Sequence, residues 1–360
     1  MTIQQATMRP ATAGPRTQAE LRAWHALYSE AALEPELPVI DAHHHMWDRP
    51  PEHYALYELL DEFNQGHNVR ASVFVECSAM FKADGPEALR PVGETEYVNG
   101  VAAMSASGIY GESRLCAAIV GYADLRLGAT VRPVLEAHIR AGGGRFRGVR
   151  GQAQFDEHAG SMARRKPPRG LLLDSDFRAS FAELAPLGLS FDAYLYGSQL
   201  DELRDLALAF PGTAIILNHL GAPLMSGPYA EQRAAVFKQW SEAIKRLAEC
   251  RNVVVKLGGL GMPIFGFDFH LRETPPSSGE LAEAWQPFIA PCLEAFGPER
   301  CMFESNFPVD KQSCGYSVLW NAFKKLTSHL SADARARVFH GTAQQVYAIA
   351  LPAAAPIDQG

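Results

Sequence analysis

The run Asp41-Ala42-His43-His44-His45 sets three imidazoles directly after the apolar pair Val39-Ile40. Side chains of an extended strand alternate in direction, so His43 and His45 share one face and His44 takes the other. Two imidazoles at i and i+2 can bind one divalent metal ion; the competing reading is a polar strand end with solvated histidines. His44 is a candidate substrate contact. Glu76 closes the apolar run Val73–Val75 and is either a third metal or substrate ligand or a charge satisfied by an arginine. The segment RFRGVRG carries Arg147 and Arg150, and a guanidinium can clamp a substrate carboxylate through two parallel hydrogen bonds. Arg150 lies nearer the strand end and is the better candidate, with pairing to Glu76 or Asp192 as its structural alternative.

Other strand ends add to the set. FDAYLYG offers the hydroxyls of Tyr194 and Tyr196 to a ligand or to a packed loop, and NHLG supplies a third imidazole in His219. Lys256 in VVVKLGG can pair with a carboxylate or polarise a carbonyl. CMFESNFPVD places Glu304 and Asn306 on one face, with Asp310 just beyond.

These groups need a scaffold that makes them converge. Eight β-type runs are visible: Val39–His45, Ala71–Cys77, Cys116–Tyr122, Phe146–Gln152, Leu189–Tyr196, Ala214–Leu220, Val253–Gly259 and Cys301–Phe307. Several are almost continuously apolar, as expected of strands buried on both faces. Helical patterns alternate with them: Glu94–Ser107, Val131–Ala141, Asp176–Ala185, Gln199–Ala209, Glu231–Glu249 and Leu281–Phe296. Asp174 or Ser175, and Ser198, are expected N-caps; Pro211-Gly212 and Gly297-Pro298 are expected stops. Strict β/α alternation predicts a (β/α)8 barrel, a single α/β domain, with a doubly wound open sheet as the alternative. In such a barrel the chemistry collects where the strands end. The expected division is a polar, flexible leader with a short helix over 1–36, the barrel over 37–350 and a loose tail over 351–360. Loops 157–170 and 261–278 are candidate lids, and Ala332–Phe339 and Thr342–Ile349 are expected closing helices interrupted at Gly341.

A chain of 360 residues, 47% hydrophobic and 20% charged, can bury a large core. Its net charge of −7 argues against a nucleic-acid surface, although Arg145, Arg147 and Arg150 oppose it locally. The six cysteines are scattered without a CxxC pair, which fits reduced thiols. No apolar run is long enough to cross a membrane, and the first twenty residues lack the apolar core of a signal peptide. A cytoplasmic location is expected.

The motifs IDAHHHMWD, VEC, RFRGVRG, NHLGAP, VKLGGL and RCMFESNFPVD resemble amidohydrolase family 2, metal-dependent hydrolases of TIM-barrel fold, particularly the sugar-lactone and 2-pyrone-4,6-dicarboxylate lactonase group. The resemblance runs from about residue 38 to about residue 350, and its opening and closing motifs are specific in combination. It implies hydrolysis of a lactone or similar ester of an acidic or polyhydroxylated small molecule. The D-x-H-x-H pattern falls on Asp41, His43 and His45, and the strand-six histidine on His219. The family's strand eight usually carries an aspartate where this chain has Asn306. An amide cannot act as a general base at neutral pH, so Glu304 is the expected substitute, Asp310 the second candidate and lost activity the third. His43, His45 and Glu76 make the expected ligand set for a divalent ion, zinc before manganese; some lactonases of the family work without a metal, and that route stays open. A homodimer suits such barrels. The rival activities are metal-dependent decarboxylation of an aromatic or unsaturated acid and a non-catalytic binding barrel.

Overall fold

The computed structural model describes residues 7–10, 13–49, 52–160 and 165–351. The apolar, β-branched runs form eight strands: β1 Pro38–His44, β2 Asn68–Val75, β3 Arg114–Gly121, β4 Phe146–Gln152, β5 Ser190–Tyr194, β6 Ile215–Leu217, β7 Val253–Leu257 and β8 Cys301–Phe303. They pair in parallel and in chain order. A helix follows each strand, among them Val92–Ala106, Arg132–Ala141, Leu200–Ala209 and Ser278–Phe296. The sheet closes at the strand ends: Asn306 N–H donates to the His43 carbonyl and His45 N–H to the Phe307 carbonyl, both at 2.8 Å. This is the (β/α)8 barrel that the alternation predicted.

Asp41 fastens that closure. Its Oδ1 accepts from Ser305 N at 2.8 Å and from His43 N at 3.3 Å, and its Oδ2 accepts from the Tyr316 hydroxyl at 3.2 Å. Burial pushes the Asp41 carboxyl up to about 6, against the pull of these hydrogen bonds.

Two apolar layers result. The larger lies between strands and helices; the smaller fills the barrel with Ile40, Val73, Val120, Ile216 and Met302, and is plugged by Tyr347 and Ile349 from the C-terminal segment. Arg147, near the start of β4, holds that plug by donating to the Tyr347 carbonyl at 2.7 Å. It therefore sits at the end of the barrel opposite the strand ends, and its expected role as a substrate contact gives way to a structural tie.

Several local expectations are also corrected. Asp174 caps its helix by accepting from Phe177 N at 2.8 Å, but Ser198 lies in a tight turn, Gly197–Gln199, and caps nothing. Gly341 does not interrupt the closing helices; the run is continuous, passing through a π segment over Arg337–Gly341 between Ala332–Ala336 and Thr342–Val346. The leader, where described, is laid down rather than loose. Thr17 and Glu20 form a capping box for helix Gln18–His25, Leu21 and Trp24 are buried, and Arg16 donates to the carbonyls of His270 and Arg272 at 2.6 and 2.5 Å. Residues 1–6, 11–12, 161–164 and 352–360 of the expected leader, lid and tail lie outside the described residues. No helix among the described residues is long and apolar enough to cross a membrane, and all six cysteines are free.

Replacing Arg147 by Ala removes a charged hydrogen bond and should cost about 1–2 kcal/mol. Thermal denaturation should show a lower melting temperature with turnover per folded molecule unchanged; a selective rise in KM would return Arg147 to the substrate.

Candidate active site

At the rim formed by the strand ends, Glu304 lies between two imidazoles. Its Oε1 is 2.7 Å from His219 Nδ1 and its Oε2 is 2.9 Å from His43 Nδ1. The three residues are at most 1% exposed. His45 stands beside them with its Nε2 3.3 Å from His43 Nε2, and its Nδ1 is fixed by the Val75 carbonyl at 2.7 Å. Burial, reinforced by Lys256, holds the His43 imidazole well below its ordinary range; burial and then Arg150 do the same for His45. Both rings are therefore neutral and able to donate a lone pair at neutral pH.

Local backbone conformation makes this convergence possible. His219 sits just past β6 in the left-handed region, with φ of +53°, which turns its ring toward Glu304 and lets its own N–H reach Glu304 Oε1 at 3.2 Å. Such a conformation costs roughly 1–3 kcal/mol at a non-glycine residue and must be held by its surroundings. Gly258 and Gly259 of the VKLGGL motif supply the room: a Cβ on Gly258 would overlap the Glu304 side chain, and one on Gly259 would overlap the His219 ring.

Beneath and beside the centre lie two buried ion pairs. Lys256 Nζ is 2.7 Å from Asp192 Oδ1 and 3.4 Å from His43 Nδ1. Asp192 also accepts from Asn218 Nδ2 at 2.9 Å and from the Tyr347 hydroxyl at 3.0 Å. Arg150 Nε donates to Glu76 Oε1 at 2.8 Å, where Gln152 Nε2 also donates at 2.6 Å. Arg150 Nη1 is then 3.4 Å from His43 Nε2. Each cation thus has its own carboxylate, and neither pairs with Glu304.

The remaining candidates divide. Tyr194 joins the site, its ring edge-on to His219 at 5.0 Å and under the Arg150 guanidinium at 5.8 Å. Tyr196 is fully buried in the layer between strands and helices, away from the rim cavity. His44 points outward, with its Nε2 2.8 Å from Ser72 Oγ and its ring against Phe74, and is not among the residues gathered around Glu304. Asn306 is used for its backbone, adopting φ of +55° at the turn that closes the barrel, while its side-chain amide donates to Asp310 Oδ1 at 2.8 Å. Asp310 also accepts from Gly261 N at 2.8 Å, and burial pushes its carboxyl up to about 8. A carboxyl protonated at neutral pH cannot accept a proton there. Asp192, Tyr316 and Tyr347 belong to no sequence motif that singles them out, Asp192 being legible only as a possible partner for Arg150.

The donor set fits a divalent metal. Ligand atoms of His43, His219 and Glu304 all lie within 4.8 Å of one another. Glu304 Oε2, although 2.9 Å from His43 Nδ1, has no hydrogen-bond partner among the described residues; the two atoms face common space rather than each other. Two imidazole nitrogens and one carboxylate form a zinc-type set that leaves a position open. The compact group differs from the expected set in holding His219 and Glu304 rather than His45 and Glu76; Glu76 is engaged by Arg150 and Gln152 through Oε1, while its Oε2 has no partner among the described residues.

Comparison with known proteins agrees with this architecture. The chain is 31% identical over 336 residues to the uncharacterized protein y4mH of Sinorhizobium fredii, covering 87% of this chain and 99% of that protein. It is 29% identical over 245 residues to an L-fucono-1,5-lactonase of Burkholderia multivorans, covering 67% of this chain and 74% of the lactonase. A crystal structure of an amidohydrolase from Burkholderia multivorans with bound zinc superposes with a TM-score of 0.66 at 24% identity, covering 87% of this chain and 99% of that one. The sequence profile of the amidohydrolase family matches residues 40–349, and the chain belongs to that family.

Proposed function

We propose that this protein hydrolyses a lactone or simple ester of an acidic or polyhydroxylated small molecule, with Glu304 accepting the proton of the attacking water. The observation that carries the reading is the buried Glu304 carboxylate, flanked by His43 and His219 and uncompensated by Lys256 or Arg150. A lactonase among the relatives supports the bond class.

Oε2 of Glu304 takes a proton from water, and the water oxygen forms a bond to the carbonyl carbon. Negative charge then grows on the carbonyl oxygen, where the adjacent Arg150 guanidinium stabilises it. As that charge collapses, the bond between the acyl carbon and the ester oxygen breaks. The departing oxygen receives the proton from Glu304 or through His219, giving a carboxylic acid and an alcohol, joined in one molecule when the substrate is a lactone. Lys256 and Asp192 hold His43 in place from below, and Tyr194 flanks the reacting group. A divalent ion held by His43, His219 and Glu304, zinc before manganese, would polarise the carbonyl and ease deprotonation of water.

Glu304→Gln keeps the shape and removes the proton acceptor. Its kcat against a panel of sugar lactones and aryl esters should fall by about 10²–10⁴-fold. Wild-type turnover in this variant would eliminate the proposed base, and release of carbon dioxide rather than a hydroxy acid would replace hydrolysis with decarboxylation.

Elemental analysis of the purified protein should find zinc bound to the wild type and lost from His43→Asn and His219→Asn. Full metal content in either variant would remove that ligand from the set.

The depressed His43 and His45 set the pH response. Imidazoles held well below 6.5 stay neutral as the pH falls, so the acid limb of kcat/KM should lie below pH 6.5. A limb centred at 6.5 or above would contradict neutral rings at this centre.

A further inference from the structure

Next to the histidine and carboxylate centre is a cavity of about 870 Å³ that the mechanism above does not use. Its walls come from the segments that follow β2, β3 and β4, so it opens at the same rim. Gly151 and Gln152 at the end of β4 form one wall, and Gln152 touches Glu76, the partner of Arg150. While His43, His219 and Glu304 are buried, Gly151, Gln152 and Tyr194 are only half-buried. Gly151 and Gln152 thus connect the cavity wall to the Glu76–Arg150 pair beside the centre.

The charge of the cavity opposes that of the whole chain. Five cationic side chains and two carboxylates line it, in a protein of net charge −7. Lys82 is paired with Glu96 and Arg126 with Asp124. Arg90, Arg165 and Lys166 make no ion pair among the described residues.

Arg165 is the preorganised member. Its guanidinium carbon lies 3.8 Å from the centre of the Tyr122 ring and 4.9 Å from that of Phe81. Its Nη1 donates to Ser78 Oγ at 3.0 Å, and its other N–H groups have no partner among the described residues. A guanidinium stacked on aromatic faces keeps its N–H edge available for a planar anion, with little entropy left to lose. Leu125, Leu171 and Phe177 supply apolar walls.

We propose that this annex binds the carboxylate end of an elongated, largely apolar small molecule through Arg165, and that the substrate of the neighbouring centre is an ester or lactone bearing such an arm. The second part rests on the hydrolytic reading above; the first does not. Phosphate offers the same oxygen fork, but the apolar walls favour a carboxylate on a hydrocarbon body.

Calorimetric titration of the full-length protein with 4-phenylbutyrate, 4-phenylbutanamide and phenyl phosphate tests the first part. In Arg165→Gln, 4-phenylbutyrate should bind about 10–100-fold more weakly than in the wild type, as expected for loss of a charge-assisted hydrogen-bonded pair. Arg165→Lys should fall between them, and the neutral amide should not distinguish the three. Circular dichroism confirms that each variant is folded. Equal affinity for 4-phenylbutyrate in wild type and Arg165→Gln, or no binding by the wild type, overturns the annex. Tighter binding of phenyl phosphate overturns the choice of carboxylate. For the second part, the ratio of kcat/KM for a carboxylate-armed ester to that for its neutral counterpart should drop about 10–100-fold in Arg165→Gln; an unchanged ratio overturns it. If the wild type binds 4-phenylbutyrate through Arg165 but turns over no ester, the hydrolytic reading fails and the annex stands.

Discussion

The site depends on one constraint, the fastening of the last strand to the first through the Asp41 carboxylate. Its oxygens accept from Ser305, His43 and Tyr316, groups drawn from both ends of the chain. That junction brings Glu304 and His43 within 2.9 Å across more than 250 residues of sequence. A buried carboxylate is costly to desolvate unless its lone pairs are used, so the same bonds that close the barrel are the ones that make Asp41 tolerable there. Closure and placement of the reactive groups are a single structural event.

Around that junction the buried charges are arranged in pairs. Lys256 with Asp192 and Arg150 with Glu76 each place a carboxylate-paired cation near His43. Buried ion pairs of this kind add little net stability, because desolvation offsets their attraction. Their value here is positional. They hold His43 in register, and neither cation pairs with Glu304. Tyr347 extends the arrangement to the far end of the barrel: the plug that seals the apolar interior also contributes a hydroxyl to Asp192. Arg147 holds that plug in turn.

The left-handed backbone at His219 and Asn306 shows how strained local conformations serve the same end. Asparagine tolerates that region better than most residues, and at position 306 its backbone N–H joins the barrel closure while its amide occupies Asp310. The departure from the aspartate usual at this position is thus absorbed locally.

The sequence by itself determined the eight-fold alternation, the positions of the strands and the rim membership of His43, His45, His219, Glu304, Arg150 and Lys256. These are properties of periodicity: a strand end is legible because its apolar run stops and a polar residue begins. It could not determine pairing. Glu76 and Asp192 were equally eligible partners for Arg150, and only the positions of neighbouring strands gave Glu76 to Arg150 and Asp192 to Lys256. Alternation likewise could not place His44 against Ser72 or Arg147 at the opposite end of the barrel, because facing a direction and facing the cavity differ once a sheet is closed. The close grouping of His43 with His219 and Glu304 was hidden for the same reason. Which donors share a point in space depends on distances across the barrel, and those exist only after Asp41 has closed it.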